Sequence, residues 1–250
     1  MKDLQPHIDS FQGISLDELN AIKLMNRQDT KFFFHQKKLA KVLQDLRPFY
    51  NILEIENVRI SSYENTYFDD ENFLFYHTHQ RGMLNRTKIR IRKYVESDIS
   101  FMEVKKKTNK SRTVKTRRLL NKGEGDNSIE NRNFVNENSD FTLDELTQKS
   151  NISFKRITLA HKNFEDRCTL DLMLNTSNDD NQHHFENLVI AELKQDRFKN
   201  SSDFLQVLKK HKIYPGSFSK YCFSMLKLHP DLKKNRFKPR LRKLEKTLHA

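Results

Sequence analysis

Alternating polar and apolar positions dominate this chain, and they are clearest in residues 85–94. There, Lys88, Arg90 and Arg92 alternate with two isoleucines. A period of two places the three cations on one face of a β-strand and the isoleucines on the other. Comparable runs predict further strands. These lie at 27–34, 51–56, 58–69, 99–107, 112–120, 152–162, 164–174 and 184–195.

Helical signals are fewer and lie mainly between or after the strands. Ser15 is a predicted N-cap with Glu18 at the capping-box position, and Thr142 begins a second capped segment. Many strands with few helices are typical of an antiparallel sheet. We therefore expect an α+β fold, in which a closed antiparallel β-barrel has its helices packed outside. Further helices are predicted at 36–47, 70–79, 201–211 and 217–227.

Two segments are predicted to lie outside this plan. Residues 121–140 are rich in Asn, Glu, Gly and Ser, which indicates a mobile excursion. Residues 229–250 carry many Lys and Arg but few apolar residues, which indicates a loosely attached basic extension. The chain shows no internal repeat and no linker. The predicted organisation is one domain over residues 1–228, followed by the extension at 229–250.

The net charge of the chain limits the classes of binding partner that are expected. The 250 residues carry a formal charge of +13, which favours an anionic partner such as nucleic acid, a membrane surface or a phosphorylated small molecule. Cys168 and Cys222 have no metal-ligand spacing, so we expect reduced thiols. The sequence has no signal-peptide pattern and no run long and apolar enough to span a membrane. A cytoplasmic protein is expected.

The charged strand faces predict a binding site for a polyanion. If these faces converge while the apolar faces are covered from outside, the sheet encloses a cavity lined with mutually repelling cations. Arginine suits such a site because its planar fork binds phosphate oxygens in pairs. The alternative is a sheet with one solvated face, on which mixed charges form cross-strand pairs. The cations on these faces are Lys31, Lys88, Arg90, Arg92, Lys105, Lys115, Arg117, Arg167 and Lys194.

Two acids on the same faces are candidate metal ligands. Glu103 and Glu192 would supply carboxylate oxygens, which Mg²⁺ and Mn²⁺ bind together with phosphate oxygens. The alternative is that each acid only forms an ion pair with a neighbouring lysine. Nucleic acid is not expected as a partner, because the basic faces have little aromatic interleaving on which bases could stack.

Several segments occur along the chain in the same order as in a known family. They are Arg27-Gln-Asp-Thr-Lys-Phe, Tyr63-Glu-Asn-Thr-Tyr-Phe-Asp69, Leu84-Asn-Arg-Thr-Lys-Ile-Arg-Ile-Arg-Lys-Tyr94, Phe101-Met-Glu-Val-Lys105, Ala191-Glu-Leu-Lys194 and Phe218-Ser-Lys-Tyr221. Together they resemble the VTC domain, the polyphosphate polymerase domain of the vacuolar transporter chaperone complex. That domain is a branch of the triphosphate tunnel metalloenzymes. The resemblance spans almost the whole chain before its basic tail.

The resemblance implies a tunnel of antiparallel strands that holds a triphosphate or a polyphosphate chain. It implies an enzyme, a phosphotransferase that moves the γ-phosphate of ATP onto polyphosphate with Mn²⁺ or Mg²⁺ as cofactor, and Glu192 would hold the metal. Carried over by motif, the phosphate-binding residues are Lys31, Arg90, Arg92, Lys105, Arg167 and Lys220. The strand faces add Lys88, Lys115, Arg117 and Lys194 as tunnel residues, with Glu103 as a second candidate metal ligand.

One departure from the superfamily bears on the reaction. Hydrolytic tunnel enzymes carry Glu-x-Glu-x-Lys on the first strand, where this chain has Arg27-Gln-Asp-Thr-Lys31. An arginine at a metal-binding position favours the polymerase-like branch. The alternatives are a triphosphatase acting on inorganic triphosphate or nucleotides, and a non-catalytic polyphosphate-binding protein. Because the eukaryotic polymerase also has a transmembrane region, a separate membrane protein is a candidate partner that would attach this protein to a membrane.

Overall fold

The computed structural model describes residues 2–21, 28–109, 113–196 and 202–249, which contain an eleven-stranded sheet and surrounding helices. The strands are β1 (Gly13–Ile14), β2 (Gln28–His35), β3 (Tyr50–Leu53), β4 (Ser61–Asp69), β5 (Arg86–Tyr94), β6 (Ile99–Lys107), β7 (Thr113–Leu119), β8 (Thr147–His161), β9 (Asp166–Ser177), β10 (Gln182–His184) and β11 (Leu188–Gln195). The helices are α1 (Gln5–Asp9), α2 (Leu16–Ala21), α3 (Leu39–Leu46), α4 (Leu74–Arg81), α5 (Ile129–Asn138), α6 (Asp203–Lys210), α7 (Lys220–Leu228) and α8 (Lys238–Leu248).

The sheet follows one main path, β2-β11-β9-β8-β4-β5-β6-β7, in which every neighbouring pair is antiparallel. Three short strands extend it: β3 pairs with β8, β1 with β3, and β10 with β9. The predicted antiparallel sheet with helices is therefore confirmed. Within the described residues β2 and β7 are the two ends of the path and no pairing joins them, so the sheet is open where a closed barrel was predicted.

Helices cover the apolar side of β8, β9 and β11. The buried residues of α3 have the spacing of one helix face, and they are Leu39, Val42, Leu43 and Leu46. They share a buried cluster with Leu170 and Ala191 of the sheet and with Phe204 of α6. The two helices therefore bury the side of the sheet opposite its charged residues, as predicted.

A second cluster buries the apolar side of β5 and β6. The isoleucines that alternate with the cations, Ile89 and Ile91, belong to it together with Met102 of β6 and Val135 of α5. Helices α4 and α7 contribute to the same cluster. The alternation along β5 thus separates a buried apolar side from a charged side, as the sequence predicts.

Residues 121–140 contain helix α5 and a bonded turn before it, where a mobile excursion was predicted. Helix α5 begins after Ser128, whose hydroxyl accepts a hydrogen bond from the Asn131 amide. Arg118 holds the segment against β7 through an ion pair of 2.6 Å with Glu124 and a hydrogen bond of 2.8 Å to Asn131. The prediction was wrong because these polar residues bond to one another instead of to water.

The C-terminal segment packs more closely than its composition predicts. Phe237 and Leu244 are buried in the same cluster as α7. The Tyr76 hydroxyl also donates a hydrogen bond of 2.8 Å to the Lys233 carbonyl. Leu241 and Leu248 of α8 also pack against this cluster, which holds α8 beside β2 although most of its side chains are basic or polar. None of the described helices is both long and apolar enough to cross a membrane.

Candidate functional site

The strand register places nearly all of the predicted site residues on one side of the sheet. Residues directly opposite each other on neighbouring strands point to the same side. Starting from β2, the register pairs Lys31 with Glu192, Lys194 with Arg167, Arg90 with Glu103, and Lys105 with Lys115. We call this side the cationic face. Its predicted members are Lys31, Lys88, Arg90, Arg92, Glu103, Lys105, Lys115, Arg117, Arg167, Glu192 and Lys194.

Charges from distant strands act on one another across the cationic face, which indicates that the face is concave. Lys105 of β6 is open to solvent, yet partial desolvation and the charges of Lys88 and Lys31 lower its pKa to about 8. Lys31 lies on β2, at the other end of the sheet path. Lys31 also helps to lower the pKa of Lys88, after the larger effects of burial and of Arg90. The sheet therefore curves so that β2 approaches β5 and β6 across the cationic face.

Glu103 lies at the centre of a paired cluster on β5, β6 and β7. Arg90 donates hydrogen bonds of 2.8 and 2.6 Å from Nε and Nη2 to one carboxylate oxygen, and Lys115 Nζ lies 2.5 Å from the other. Burial alone would raise the pKa of Glu103, but the charges of Arg90, Arg92 and Lys115 outweigh it and hold the pKa at about 2. The carboxylate stays ionised and orients two cations towards the cavity.

Asp171 anchors a second cluster on β8, β9 and α7. Arg156 contacts both of its carboxylate oxygens, at 2.5 and 2.8 Å, and Lys220 donates to one of them. Burial would raise the pKa of Asp171, but Arg156 and Lys220 hold it well below its usual value. Arg156 is a site residue that the sequence analysis missed. Its signal was present, since it alternates with the buried Ile157 on a correctly predicted strand.

Aromatic and amide side chains of β4 fill the face between these clusters. The Tyr67 hydroxyl accepts a hydrogen bond of 2.7 Å from Arg90, and Asn65 accepts one of 2.9 Å from Arg92 Nε. The Tyr63 ring lies under the guanidinium groups of Arg92 and Arg156, at 5.4 and 5.0 Å. These contacts orient the three arginines. Arg90 and Arg156 are also paired with carboxylates, whereas the contacts of Arg92 leave its charge uncompensated among the described residues.

The start of α7 closes one side of the face. Ser219 caps the helix and its hydroxyl accepts a hydrogen bond of 3.0 Å from Lys88 Nζ. Lys220 follows and reaches Asp171, and the Tyr221 ring stacks on Tyr67 at 5.1 Å. The structure therefore brings Lys220 to the same cavity as the strand cations, as the resemblance implies.

Glu192, which the resemblance implies as a metal ligand, is a largely buried carboxylate of the cationic face. One of its oxygens lies 2.8 Å from Lys31 Nζ, and its side chain is 15% exposed. Burial would raise its pKa, but the charges of Lys31 and Lys194 hold the pKa well below its usual value. The described residues contain no group of three His, Cys, Asp or Glu side chains that could bind a metal by themselves. An ion bound at Glu192 would therefore need water molecules or substrate oxygens as further ligands.

The remaining cations lie towards the edges of the face. Desolvation lowers the pKa of Lys194 to about 8, although Glu192 partly offsets it. Arg167 lies opposite Lys194 in the register, and the Arg117 guanidinium lies 4.7 Å above the Phe101 ring. Arg27, which distinguishes the chain from hydrolytic relatives in the sequence analysis, lies outside the described residues.

Comparison with solved structures finds similar chains at low sequence identity. A protein from Hippeastrum, assigned as an adenylyl cyclase and reported to have a dominant triphosphatase activity, superposes with a TM-score of 0.52 at 14% identity, over 80% of this chain and 95% of that one. A protein assigned as an adenylate cyclase from Vibrio parahaemolyticus gives 0.45 at 12% identity, over 78% and 97%. A conserved hypothetical protein from Pyrococcus furiosus gives 0.42 at 13% identity, over 76% and 98%.

Sequence comparison identifies the family. No match was found among curated proteins. The profile of the VTC domain, by contrast, matches residues 26–229, which include every predicted site residue. That range is most of the chain and contains the whole cationic face. The chain therefore belongs to the VTC domain family.

Proposed function

We propose that this protein is a metal-dependent, polyphosphate polymerase-like phosphotransferase that moves the γ-phosphate of ATP onto a polyphosphate chain. The observation that carries the proposal is the cationic face, on which lysines and arginines from distant strands converge and outnumber the carboxylates. Membership of the VTC domain family supports it. ATP, triphosphate and polyphosphate are the proposed partners; the separate membrane protein stays a prediction from the resemblance alone.

The uncompensated cations favour a ligand with several phosphate groups. Glu103 and Asp171 are each shared by two cations, so each of these clusters keeps a net positive charge, and Glu192 pairs with Lys31. Lys88, Arg92 and Lys105 form no ion pair within the described part of the chain. Burial and neighbouring positive charges lower the pKa of all three, so a polyanion that neutralised them would relieve their repulsion. A run of linked phosphates supplies negative charge at the spacing that several strands require.

The transfer itself needs positioning and charge neutralisation more than acid or base chemistry. In the proposed step, a terminal phosphate oxygen of the acceptor attacks the γ-phosphorus of ATP. The bond from that phosphorus to the β–γ bridging oxygen breaks, and ADP leaves with the electron pair. The acceptor oxygen is already ionised, so no general base is required. Arg90, Arg92 and Lys88 would stabilise the charge spread over the transferring group.

The donor set fits one divalent ion shared with the substrate. Glu192 would hold Mg²⁺ or Mn²⁺ through the carboxylate oxygen that does not contact Lys31. When bound, the ion would neutralise and orient phosphate oxygens. Both oxygens of Glu103 already contact cations, so Glu103 would become a ligand only after Arg90 or Lys115 turned towards phosphate. We therefore propose Glu192 as the main ligand and Glu103 as a residue that mainly positions Arg90 and Lys115.

An alternative reaction uses the same site. Water instead of polyphosphate as the acceptor would make the protein a triphosphatase, and the fold is shared with a protein reported to have that activity. That likeness, at 14% identity, concerns the fold alone. A non-catalytic polyphosphate-binding protein would use the cationic face without any transfer.

The reaction products distinguish these functions. Purified protein is incubated with ATP and Mn²⁺ or Mg²⁺, with and without a short polyphosphate primer, and polymer, ADP and orthophosphate are quantified. Polymer longer than triphosphate, formed with matching amounts of ADP, supports the proposal. Orthophosphate without polymer shows a triphosphatase. Binding without either product, unaffected by Glu192→Gln, shows a binding protein and overturns the proposed transfer.

A further inference from the structure

A second cationic cavity lies where β5 begins, outside the set of predicted site residues. Its volume is about 450 Å³, and its lining includes His79, Gly82, Arg86, Ser217, Arg236 and Arg240. Arg236 and Arg240 come from the C-terminal segment, beyond the residues that the VTC domain profile matches. The cavity is therefore built jointly by the family domain and by the segment that follows it.

This cavity continues the cationic face. Arg86 precedes Lys88 by two residues on β5, so both side chains point to the same side of the sheet. The register places Lys107 directly opposite Arg86. Ser217 lines the cavity, two residues before the Ser219 hydroxyl that bonds to Lys88. At ~3.3 Å per residue, the distance along β5 from Arg92 to Arg86 is ~20 Å, longer than a triphosphate.

The arginines of the cavity have no acidic partner. Arg86, Arg236 and Arg240 form no ion pair with a carboxylate in the described ranges, and the residues outside those ranges include no Asp or Glu. Their guanidinium groups share one cavity with no negative side chain to offset them. Such a cluster has the charge and the donor geometry for a phosphate group.

His79 adds a neutral hydrogen-bonding group to the cavity. Burial and the positive charges of Lys88, Arg86, Arg240 and Lys107 lower its pKa to about 2, so the imidazole is uncharged at neutral pH. Its Nδ1 atom is buried and has no hydrogen-bond partner among the described residues. The His79 side chain lines the cavity as an uncharged group, so it adds no further positive charge to the three arginines.

The C-terminal segment is anchored in a way that holds its arginines over the cavity. The Phe237 ring is fully buried and lies 6.0 Å from both the His79 and the Phe223 rings. Gly82 has a left-handed backbone with φ of +76°, and a Cβ atom there would lie 3.1 Å from Arg236 Nη1. Glycine at this position therefore leaves room for the Arg236 guanidinium.

We propose that His79, Arg86, Arg236 and Arg240 form a second phosphate-binding site, which takes the far end of a polyphosphate chain held on the cationic face. The proposal rests on polyphosphate as the ligand of the proposed function, but not on its transfer reaction. A chain end is favoured over free orthophosphate because Arg86 shares its side of the sheet with Lys88. Triphosphate is too short to fill both sites.

Binding to ligands of different length tests the site. Affinities for inorganic triphosphate, for polyphosphate chains several times longer and for orthophosphate are measured by calorimetry, without ATP or turnover. The test variant is Arg236→Gln/Arg240→Gln. The matched control is Arg242→Gln/Lys246→Gln, which removes the same charge from exposed positions of α8 outside the cavity. Thermal unfolding of both variants shows whether α8 remains packed.

We expect the test variant to lose about tenfold or more in affinity for long polyphosphate, as the loss of two partly exposed charge-assisted hydrogen bonds implies. Triphosphate affinity should stay within about twofold of wild type, and the control should change neither. Equal losses for both lengths, or no loss for long chains, overturn the proposal. Orthophosphate binding that is lost in the test variant while polyphosphate affinity is kept assigns the site to free phosphate and also overturns it. Length-dependent binding without polymer synthesis supports the site and refutes the transfer reaction alone.

Discussion

Lys31 Nζ lies 2.8 Å from Glu192 Oε2, directly across the pairing of β2 with β11. This contact joins the phosphate-binding lysine and the metal-binding acid that the family resemblance implies. It also explains how a largely buried carboxylate stays ionised, since Lys31 and Lys194 outweigh its burial. A metal ion bound to Glu192 would displace Lys31 from that carboxylate. A phosphate group could then bind the released Lys31 ammonium group.

Glu192→Gln should separate metal-supported turnover from anion binding. We expect metal-dependent activity to fall by about 10- to 100-fold, the usual loss when a metal ligand's environment is disrupted. Triphosphate binding without metal should be retained, because the substitution removes a negative charge from a cationic site. Activity is measured against Mn²⁺ concentration and binding by calorimetry. Glu186→Gln, at an exposed position just before β11, is the control. Equal metal-supported activity in wild type and Glu192→Gln would refute the assigned role.

Arg92→Ala should weaken triphosphate binding and leave the fold intact. The Arg92 guanidinium contacts Asn65 and the Tyr63 ring but no carboxylate, so its removal leaves no buried charge unpaired. We expect about a tenfold to 100-fold loss of affinity, as for one charge-assisted contact to phosphate. Lys93→Ala, whose side chain points away from the cationic face and pairs with Asp98, should bind normally. Normal binding by Arg92→Ala would exclude β5 from the site.

Arg90→Ala should weaken triphosphate binding and also lower the free energy of unfolding, because Glu103 would lose a partner.

Asp171→Asn should destabilise the ligand-free protein. The substitution leaves Arg156 and Lys220 facing each other without the carboxylate that they share. We expect the free energy of unfolding to fall by about 3 kcal/mol, as for a buried ion pair that loses one partner. Triphosphate should raise the melting temperature of this variant more than that of wild type, because phosphate oxygens can replace the carboxylate. The exposed Asp180→Asn is the control, and equal shifts in all three proteins would contradict this coupling.

Triphosphate affinity should decrease as the pH rises from about 7 to 9.5. The pKa of Lys105 and that of Lys194 are each lowered to about 8, so both ammonium groups lose their protons in this interval. Lys105→Arg/Lys194→Arg should flatten the dependence, because arginine keeps its charge. Calorimetric titrations at several pH values measure the effect. A flat wild-type profile would contradict it.

The same two lysines should make the free energy of unfolding increase with pH, whereas triphosphate affinity decreases. Their pKa in the folded chain is below the ordinary value of 10.5, so the unfolded chain binds more protons between about pH 8 and 10.5. Their contribution to the free energy of unfolding therefore increases as the pH rises through this window. The free energy of unfolding is measured by denaturant titration at several pH values. Between about pH 8 and 10.5 it should rise more steeply with pH for wild type than for the double arginine variant.

Gly216→Ala should disturb the outer edge of β2. A Cβ atom at this position would lie 2.7 Å from Phe33 Cε1, while the Gly216 amide donates a hydrogen bond of 2.8 Å to the Lys31 carbonyl. We expect a loss of about 1–3 kcal/mol in the free energy of unfolding, typical of an overpacked site. Gly125→Ala, where nothing lies within 4 Å, should be close to neutral. Equal stability of the two variants would show that Phe33 moves freely.

On β2, β5, β6, β7 and β9 the alternation of polar and apolar residues was enough to predict which side carries the charged residues, but it gave no such prediction for β4 and β8. It could not predict which strands are neighbours, and the carboxylate clusters depend on that. The partners of Glu103 on β5 and β7, and the pairing of Asp171 with Arg156 on β8, follow from the register alone. Whether the sheet closes into a barrel also depends on which strands pair, so alternation could not predict it either.

Composition was the weaker guide. The segment around α5 and the C-terminal segment are both strongly polar, yet each is held by a few buried residues. Val135 anchors the first, and Phe237 and Leu244 anchor the second. A small number of apolar positions decides whether a polar segment packs, and averages over the segment hide them. The second cavity depends on this packing and had no counterpart in the sequence analysis.

Three consecutive residues, 219–221, tie α7 to strands formed much earlier in the chain. Ser219 bonds to Lys88, Lys220 to Asp171, and Tyr221 to Asp69. Each contact joins residues 49 to 152 positions apart along the chain, so none of the three can form before α7 has been synthesised. Contacts over such sequence distances form slowly. Lys88, Asp171 and Asp69 therefore acquire these partners only after residues 219–221 have been added, and truncation before residue 219 would remove all three contacts at once.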